Sequence, residues 1–246
     1  MNRNSKYKEF QRKPMSPDEK ITDVRLTFNG WKLLLDETLS PLIEKELGMR
    51  YLGDYIWATD YENDMRRVLK VFIINEAFAC FNWGLNFRFV PKRVGNKSVY
   101  ARTDKSIHLH TICTPYYFSY RTNDYTQEHI EKRNRIIFSS WGGSIESFEK
   151  SIEQMKLAHI KVFRNTLPEI KEYFSKTSSN EKILDLIFSN CNHEYIFSES
   201  ELAAVFIKRY LGMVNEAEEH FQRLNFENDE IKNETYKKFI KVIPNN

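Results

Sequence analysis

Two pairs of residues of metal-ligand type stand far apart in the sequence. His108 and His110 are two residues apart in a segment that reads as a β-strand, so both imidazoles should point to one face. Cys191 and His193 repeat that spacing in a later connecting segment. Neutral imidazoles and a thiolate are zinc ligands. The four residues therefore indicate a candidate site for zinc or another divalent metal. Their spacing matches no zinc knuckle or ribbon, and polar strand residues with a loop cysteine explain the same pattern.

Carboxylates crowd one predicted turn. Asp60, Glu62 and Asp64 lie within five residues, and Glu76 follows the next strand. Clustered carboxylates can hold Mg²⁺ or Mn²⁺ for phosphoryl chemistry. Turns also recruit Asp for conformational reasons, and we favour a solvated hairpin tip. Together with the histidine pair, the turn defines one function class, a metal-dependent hydrolase or nuclease, for which no catalytic residue is assigned.

The segment from Ala79 to Phe89 has the clearest strand pattern, with large apolar side chains on one face. Asn82, Asn86 and Arg88 lie on the other face. One buried and one polar face are typical of an antiparallel sheet that is covered on a single side. We therefore expect these three residues to form an exposed binding surface. The strand aromatics alternate inward, which argues against an RNA-binding sheet.

Changes in the spacing of hydrophobic residues along the chain predict the helices and strands that would position these residues. The predicted first helix, Thr27 to Leu47, contains Pro41, which predicts a kink or break near Ser40. From Met49 the period shortens to two, which predicts about six short strands. After Pro115 the pattern becomes helical.

Several signals locate helix ends in the second half. The sequence Tyr210-Leu211-Gly212, with Ala217 and Phe221 beyond it, predicts one hairpin of two antiparallel helices. Three Ser or Thr residues have a Glu three positions later, which is the capping-box pattern of a helix start. These pairs are Thr166 with Glu169, Ser178 with Glu181, and Ser198 with Glu201.

The fold class that this pattern predicts is α+β. An antiparallel meander of about six strands packs on helices, and an all-helical C-terminal part follows. We divide the chain into a basic flexible tail (1–20), a helix with the antiparallel sheet (21–122), and a helical region packed on the sheet or forming an annex (123–246).

Composition bounds the partners and the compartment. Residues 1–13 hold five basic side chains against one acidic, so the net charge of +3 leaves the rest of the chain slightly acidic. Nucleic-acid binding is therefore only an alternative. No apolar run is long enough for a transmembrane helix, and the N-terminus lacks a signal-peptide pattern. Three widely spaced cysteines fit a reducing compartment, which predicts a cytoplasmic protein.

One stretch carries a family resemblance. Leu33 to Pro91 reads as a helix ending in Leu47-Gly48, a hairpin containing Trp57, a β-rich strand, and Trp83-Gly-Leu-Asn-Phe-Arg-Phe-Val90. It resembles a family of bacterial domains of unknown function with the same order of helix and meander. The resemblance implies the fold and a bacterial setting, and it implies no activity or catalytic residue.

These observations favour a function without catalysis. The sequence lacks recognisable catalytic motifs, is 14% aromatic, and contains the helical hairpin. We predict a non-enzymatic protein-binding or regulatory factor with a protein partner, such as a bacterial immunity or defence accessory protein. The alternatives are the metal-dependent hydrolase or nuclease and a nucleic-acid-binding protein. We expect no cofactor for the protein-binding factor. The hydrolase or nuclease would use zinc or another divalent metal.

Overall fold

The chain is an α+β protein in which a helix precedes a group of strands and further helices follow, as predicted. The computed structural model describes residues 8–11, 24–26, 28–73, 78–95, 97–100, 103, 107–113, 135–137, 141–142, 145–189 and 200–244.

A small sheet near the N-terminus pairs strand β1 (Lys8–Gln11) antiparallel with β2 (Val24–Leu26). Strand β1 falls inside the segment 1–20 that was expected to be a flexible tail. Lys8, Phe10 and Gln11 have partners in β2, with a shift of register between Lys8 and Phe10, and this pairing ties that part of the terminus to a sheet. Lys8–Gln11 thus form a strand, and the flexible tail assigned to residues 1–20 stays a prediction.

Helix α1 (Phe28–Leu47) runs without interruption through Pro41. The break predicted near Ser40 does not occur. Apolar side chains along the helix are fully buried, and this burial outweighs the hydrogen bond that proline cannot donate. The residues concerned are Trp31, Leu34, Leu35, Leu39 and Ile43.

The main sheet is an antiparallel meander followed by two shorter strands. Its first four strands pair in chain order, and both later strands pair antiparallel with the fourth. In the sequence, a separate two-stranded hairpin lies between the fourth strand and the two later strands. In chain order the strands are β3 (Arg50–Gly53), β4 (Ile56–Ala58), β5 (Met65–Ile73), β6 (Phe78–Phe87), β7 (Lys92–Val94), β8 (Lys97–Val99), β9 (Thr111–Cys113) and β10 (Arg135–Ile137). Strand β11 (Trp141–Gly142) pairs with β2.

Two tight turns shape the meander. Asp54 and Tyr55 have φ angles of 47° and 63°, and Asn63 and Asp64 have φ angles of 49° and 58°. Two successive residues in the left-handed region match the two-residue turn whose twist fits an antiparallel hairpin. Residues other than glycine are strained in this backbone conformation, so the surrounding contacts must stabilise it.

Five helices follow the strands in the described part of the chain: α2 (Ile145–Lys176), α3 (Asn180–Ser189), α4 (Ser200–Tyr210), α5 (Val214–Arg223) and α6 (Asp229–Phe239). The predicted helical hairpin is confirmed: α4 and α5 are joined at Gly212, whose φ is 80°, and they are in contact. Ala217 and Phe221 are fully buried.

The capping-box predictions are less accurate. Thr166 lies inside α2, where its Oγ1 donates to the Val162 carbonyl at 2.9 Å, so no helix begins there. Helix α3 begins one residue later than predicted. Its first turn is capped by Ser179, whose Oγ accepts from the Lys182 N–H at 3.3 Å. Ser198 is outside the described residues.

The chain divides into two compact units that interleave along the sequence. One comprises residues 1–57, 70–81 and 119–168, and the other residues 58–69, 82–118 and 169–246. The predicted boundary between residues 122 and 123 lies outside the described residues. The core of the second unit includes Trp83, Phe87, Phe206, Phe221 and Phe239, all nearly or fully buried.

Candidate functional site

The most concentrated group of polar side chains in the second unit lies where the meander turns. We call Tyr61, Asp64, Arg66, Asn86 and Arg88 the arginine–tyrosine cluster. The turn before β5 supplies the first two residues, β5 supplies Arg66, and β6 with the turn that follows it supplies Asn86 and Arg88. Antiparallel pairing of neighbouring strands brings residues about 25 positions apart into contact.

Asn86 is the buried centre of the cluster, with only 1% of its surface exposed. Its Oδ1 accepts from the Tyr61 hydroxyl at 2.5 Å and from Arg66 Nε at 3.0 Å. Its Nδ2 donates to the His108 carbonyl at 2.8 Å. The expectation that Asn86 lies on an exposed sheet face is wrong, because these internal partners replace water for both ends of the amide. Arg66 is buried as well.

Arg88 is the exposed part of the cluster, with 61% of its side chain accessible. Its guanidinium carbon lies 4.1 Å from the centre of the Tyr61 ring, and that of Arg66 lies 4.5 Å from it. The Arg88 backbone N–H donates to the Asp64 carbonyl at 2.9 Å. Arg88 Nη1 is 3.7 Å from Asp64 Oδ1, which is an ion pair beyond hydrogen-bond distance. Arg88 is thus exposed as predicted.

A polar pocket of about 300 Å³ lies close to Asp64. It is lined by the two sequence neighbours of Asp64, Asn63 and Met65, and by Tyr210. Tyr210, one of its lining residues, stacks on Phe89 with ring centres 4.3 Å apart, and its hydroxyl lies 3.5 Å from Asp64 Oδ2. Burial, and then the Asp64 carboxylate, raise the pKa of Tyr210, so the phenol stays protonated at neutral pH. The pocket is lined by Asn63, Met65, Ser178, Ser179, Asn180, Glu181, Tyr210 and Leu211.

The predicted histidine pair does come together. The rings of His108 and His110 are edge to face with centres 5.1 Å apart, although His108 lies just before β9 and not within it. His110 is buried, and its Nδ1 accepts from the Phe87 N–H at 3.0 Å. Burial lowers the pKa of His110 to about 3; His108 and Lys92 add to this effect, and the Val90 backbone opposes it.

This hydrogen bond bears on the metal hypothesis. Because Nδ1 of His110 is an acceptor, the proton of the neutral ring must be on Nε2. Histidine ligands instead bind metal through one nitrogen and donate a hydrogen bond from the other. His110 is therefore poorly arranged as a ligand. Among the described residues, no group of three or more His, Cys, Asp or Glu is placed to hold a metal ion. Cys191 and His193 lie outside the described residues, so the four-residue set stays a prediction.

The structure also describes the acidic turn and Asn82, the third residue of the predicted binding surface. Asp60 and Glu62 are exposed, and Glu62 pairs with Met65 across the tight turn, in agreement with a solvated hairpin tip. Glu76 is outside the described residues. Asn82 is half-buried in β6, so of the three predicted surface residues only Arg88 is largely exposed.

Three residues of the site were missed from the sequence: Tyr61, Arg66 and Tyr210. Arg66 follows the acidic turn, and its side chain bonds an amide 20 residues away in the chain. Tyr210 is 146 residues from Asp64. No local pattern reports such a pairing. The positions of Tyr61 and Arg66 around the acidic turn were the only available signal.

The fold and the site define an α+β protein with a buried polar network below an exposed arginine. No protein-family model, curated protein or solved structure shows significant similarity to the chain. Within the described residues, no helix has the length and apolar character of a membrane span.

Proposed function

We propose that this chain is a non-enzymatic protein-binding or regulatory factor, and that its partner contacts Arg88 and the adjoining polar pocket. The observation that carries the proposal is the exposed Arg88 guanidinium, which lies 4.1 Å from a tyrosine ring that a buried network fixes. Arginine and tyrosine are the residues that most often dominate binding energy at protein interfaces.

The cluster supports binding more than catalysis. The Tyr61 hydroxyl and the Asn86 amide are used in internal hydrogen bonds, so they are not presented to a substrate. Arg88 is the cationic group that the cluster exposes to solvent, beside the less exposed Asp64. An arginine already held on an aromatic ring loses less conformational freedom on binding than a mobile one. This pre-organisation is useful for recognition.

The setting is part of the proposal. A cytoplasmic location rests on the cysteine pattern, and a bacterial setting rests on the resemblance within Leu33 to Pro91. The immunity or defence role rests on the lack of recognisable catalytic motifs, the aromatic content of 14% and the helical hairpin. Neither the fold nor the site bears on them.

Quantitative affinity capture tests the proposed function. Wild-type protein, Arg88→Ala and Arg223→Ala are immobilised, and bound proteins from native host lysate are compared by mass spectrometry. Arg223 is the matched control because its side chain is 78% exposed in an ion pair with Glu219, also within the second unit. We expect a stoichiometric partner on the wild type and on Arg223→Ala, reduced at least about tenfold on Arg88→Ala. Equal capture by all three proteins, or no partner on the wild type, would contradict the proposal.

A further inference from the structure

We infer that Arg88 receives one carboxylate, the side chain of an Asp or Glu on the partner, and that Asn86 is the positioning residue for this contact. The inference rests on the proposed function, because it names the chemistry by which the partner would be recognised. A guanidinium presents paired N–H donors that match the two oxygens of a carboxylate.

Arg88 is held by one contact of its side chain and one of its backbone. The Tyr61 ring supports one face of the guanidinium at 4.1 Å, and the backbone N–H of Arg88 is bonded to the Asp64 carbonyl. The Asp64 carboxylate is 3.7 Å from Nη1, which is too far for a hydrogen bond. Asp64 therefore balances part of the charge without taking a hydrogen bond from the guanidinium. The exposed edge can donate to an incoming anion.

The charge of the cluster favours a monoanion. Arg66 and Arg88 both lie against the Tyr61 ring, and the Asp64 carboxylate is 3.7 Å from Arg88 Nη1. A carboxylate brings one negative charge to Arg88. A phosphate carries more negative charge and would meet stronger repulsion from Asp64 and from the exposed Asp60 and Glu62. A phosphorylated partner is therefore the less favoured outcome.

Asn86 acts through Tyr61 and does not reach the anion itself. Its Oδ1 holds the Tyr61 hydroxyl and Arg66 Nε together, and its own amide is held by the His108 carbonyl. Without Asn86, the Tyr61 hydroxyl loses this hydrogen bond, and the ring that supports Arg88 is held less firmly. Substitution of Asn86 should thus weaken carboxylate binding although residue 86 is buried.

The test is an NMR titration of the full chain labelled with ¹⁵N-arginine, which observes the Nε–H groups. The probes are N-acetylglutamate N-methylamide, its glutamine counterpart, and methyl phosphate. We expect a saturable shift of the Arg88 signal with the carboxylate, at least about fivefold weaker binding of the phosphate, and no saturation with the amide. The signal is assigned from its loss in Arg88→Lys, and Arg223 is the internal control.

Two variants test the positioning role. Asn86→Ala should weaken the Arg88 response to the carboxylate at least about threefold, and Tyr61→Phe, which keeps the ring and removes the anchored hydroxyl, should weaken it less. If Asn86→Ala does not fold, Tyr61→Phe alone decides, and an unchanged affinity there overturns the role of Asn86. The carboxylate assignment is overturned if Arg223 responds equally, if the amide binds as well, or if phosphate binds more tightly.

Failure of this inference can be distinguished from failure of the proposed function. A carboxylate-specific response of Arg88 without a captured partner contradicts the proposed protein binding only. A captured partner that depends on Arg88, without carboxylate preference in the titration, contradicts the inference only.

Discussion

The Tyr61 hydroxyl lies 2.5 Å from the amide oxygen of Asn86, 25 residues later in the chain. This contact joins the acidic turn to strand β6 and fixes the ring on which Arg88 lies. The Tyr61 side chain thereby links the buried Asn86 to the exposed Arg88.

Replacement of Asn86 by alanine should destabilise the protein by about 3 kcal/mol, because it removes three hydrogen bonds of a buried amide, to the Tyr61 hydroxyl, Arg66 Nε and the His108 carbonyl. Urea denaturation followed by circular dichroism measures the free energy of unfolding. Asn233→Ala, at an exposed position of α6, is the control and should change stability by less than about 0.5 kcal/mol. Similar effects of the two substitutions would show that the Asn86 network contributes little.

Acid should destabilise the fold through His110. Its pKa is about 3 in the folded protein and 6.5 in the reference state of an unfolded chain. Below pH 6.5 the unfolded chain binds a proton that the folded protein excludes, so the free energy of unfolding falls by up to about 1.4 kcal/mol per pH unit until the folded pKa is reached.

The variant His110→Gln tests this dependence. Its amide oxygen can accept the Phe87 N–H that Nδ1 accepts in the wild type, but glutamine does not titrate. Urea midpoints measured between about pH 7 and pH 4.5 should fall less steeply for the variant. Parallel profiles would mean that burial of His110 does not govern the acid response.

Tyr210 should stabilise the protein through its ring more than through its hydroxyl. The ring is stacked on Phe89 at an angle of 6° and is almost fully buried, whereas the hydroxyl is 3.5 Å from Asp64. Tyr210→Phe should cost less than about 1 kcal/mol, and Tyr210→Ala about 3 to 5 kcal/mol. Chemical denaturation of both variants measures the difference, and a large loss in Tyr210→Phe would assign the main role to the hydroxyl.

In the first unit, Ser40 should matter because it satisfies a buried tryptophan. Its Oγ accepts from Trp57 Nε1 at 2.8 Å and donates to Asp36 Oδ1. Ser40→Ala should cost about 2 kcal/mol, since it leaves the indole N–H of a fully buried residue without its acceptor. Ser175→Ala is the matched control, because Ser175 is an exposed helical serine whose Oγ donates to the Glu172 carbonyl. Thermal denaturation should separate the two variants.

The spacing of hydrophobic residues in the sequence predicted much of the architecture. Alternation between Ala79 and Phe89 located β6, and the burial of Phe81, Trp83, Leu85 and Phe87 on one face agrees with it. The helical hairpin at Gly212 also followed from the local pattern. These features depend on neighbouring residues in the chain, and for that reason periodicity reports them.

The sequence alone also singled out Arg88 as a surface residue and brought His108 and His110 to one side. Only the tertiary structure decided that Asn86 is buried and that Tyr61, Arg66 and Tyr210 belong to the site. A polar residue on a strand reads the same whether water or another side chain satisfies it. The difference depends on partners far away in the chain, which strand pairing and helix packing bring within hydrogen-bond distance.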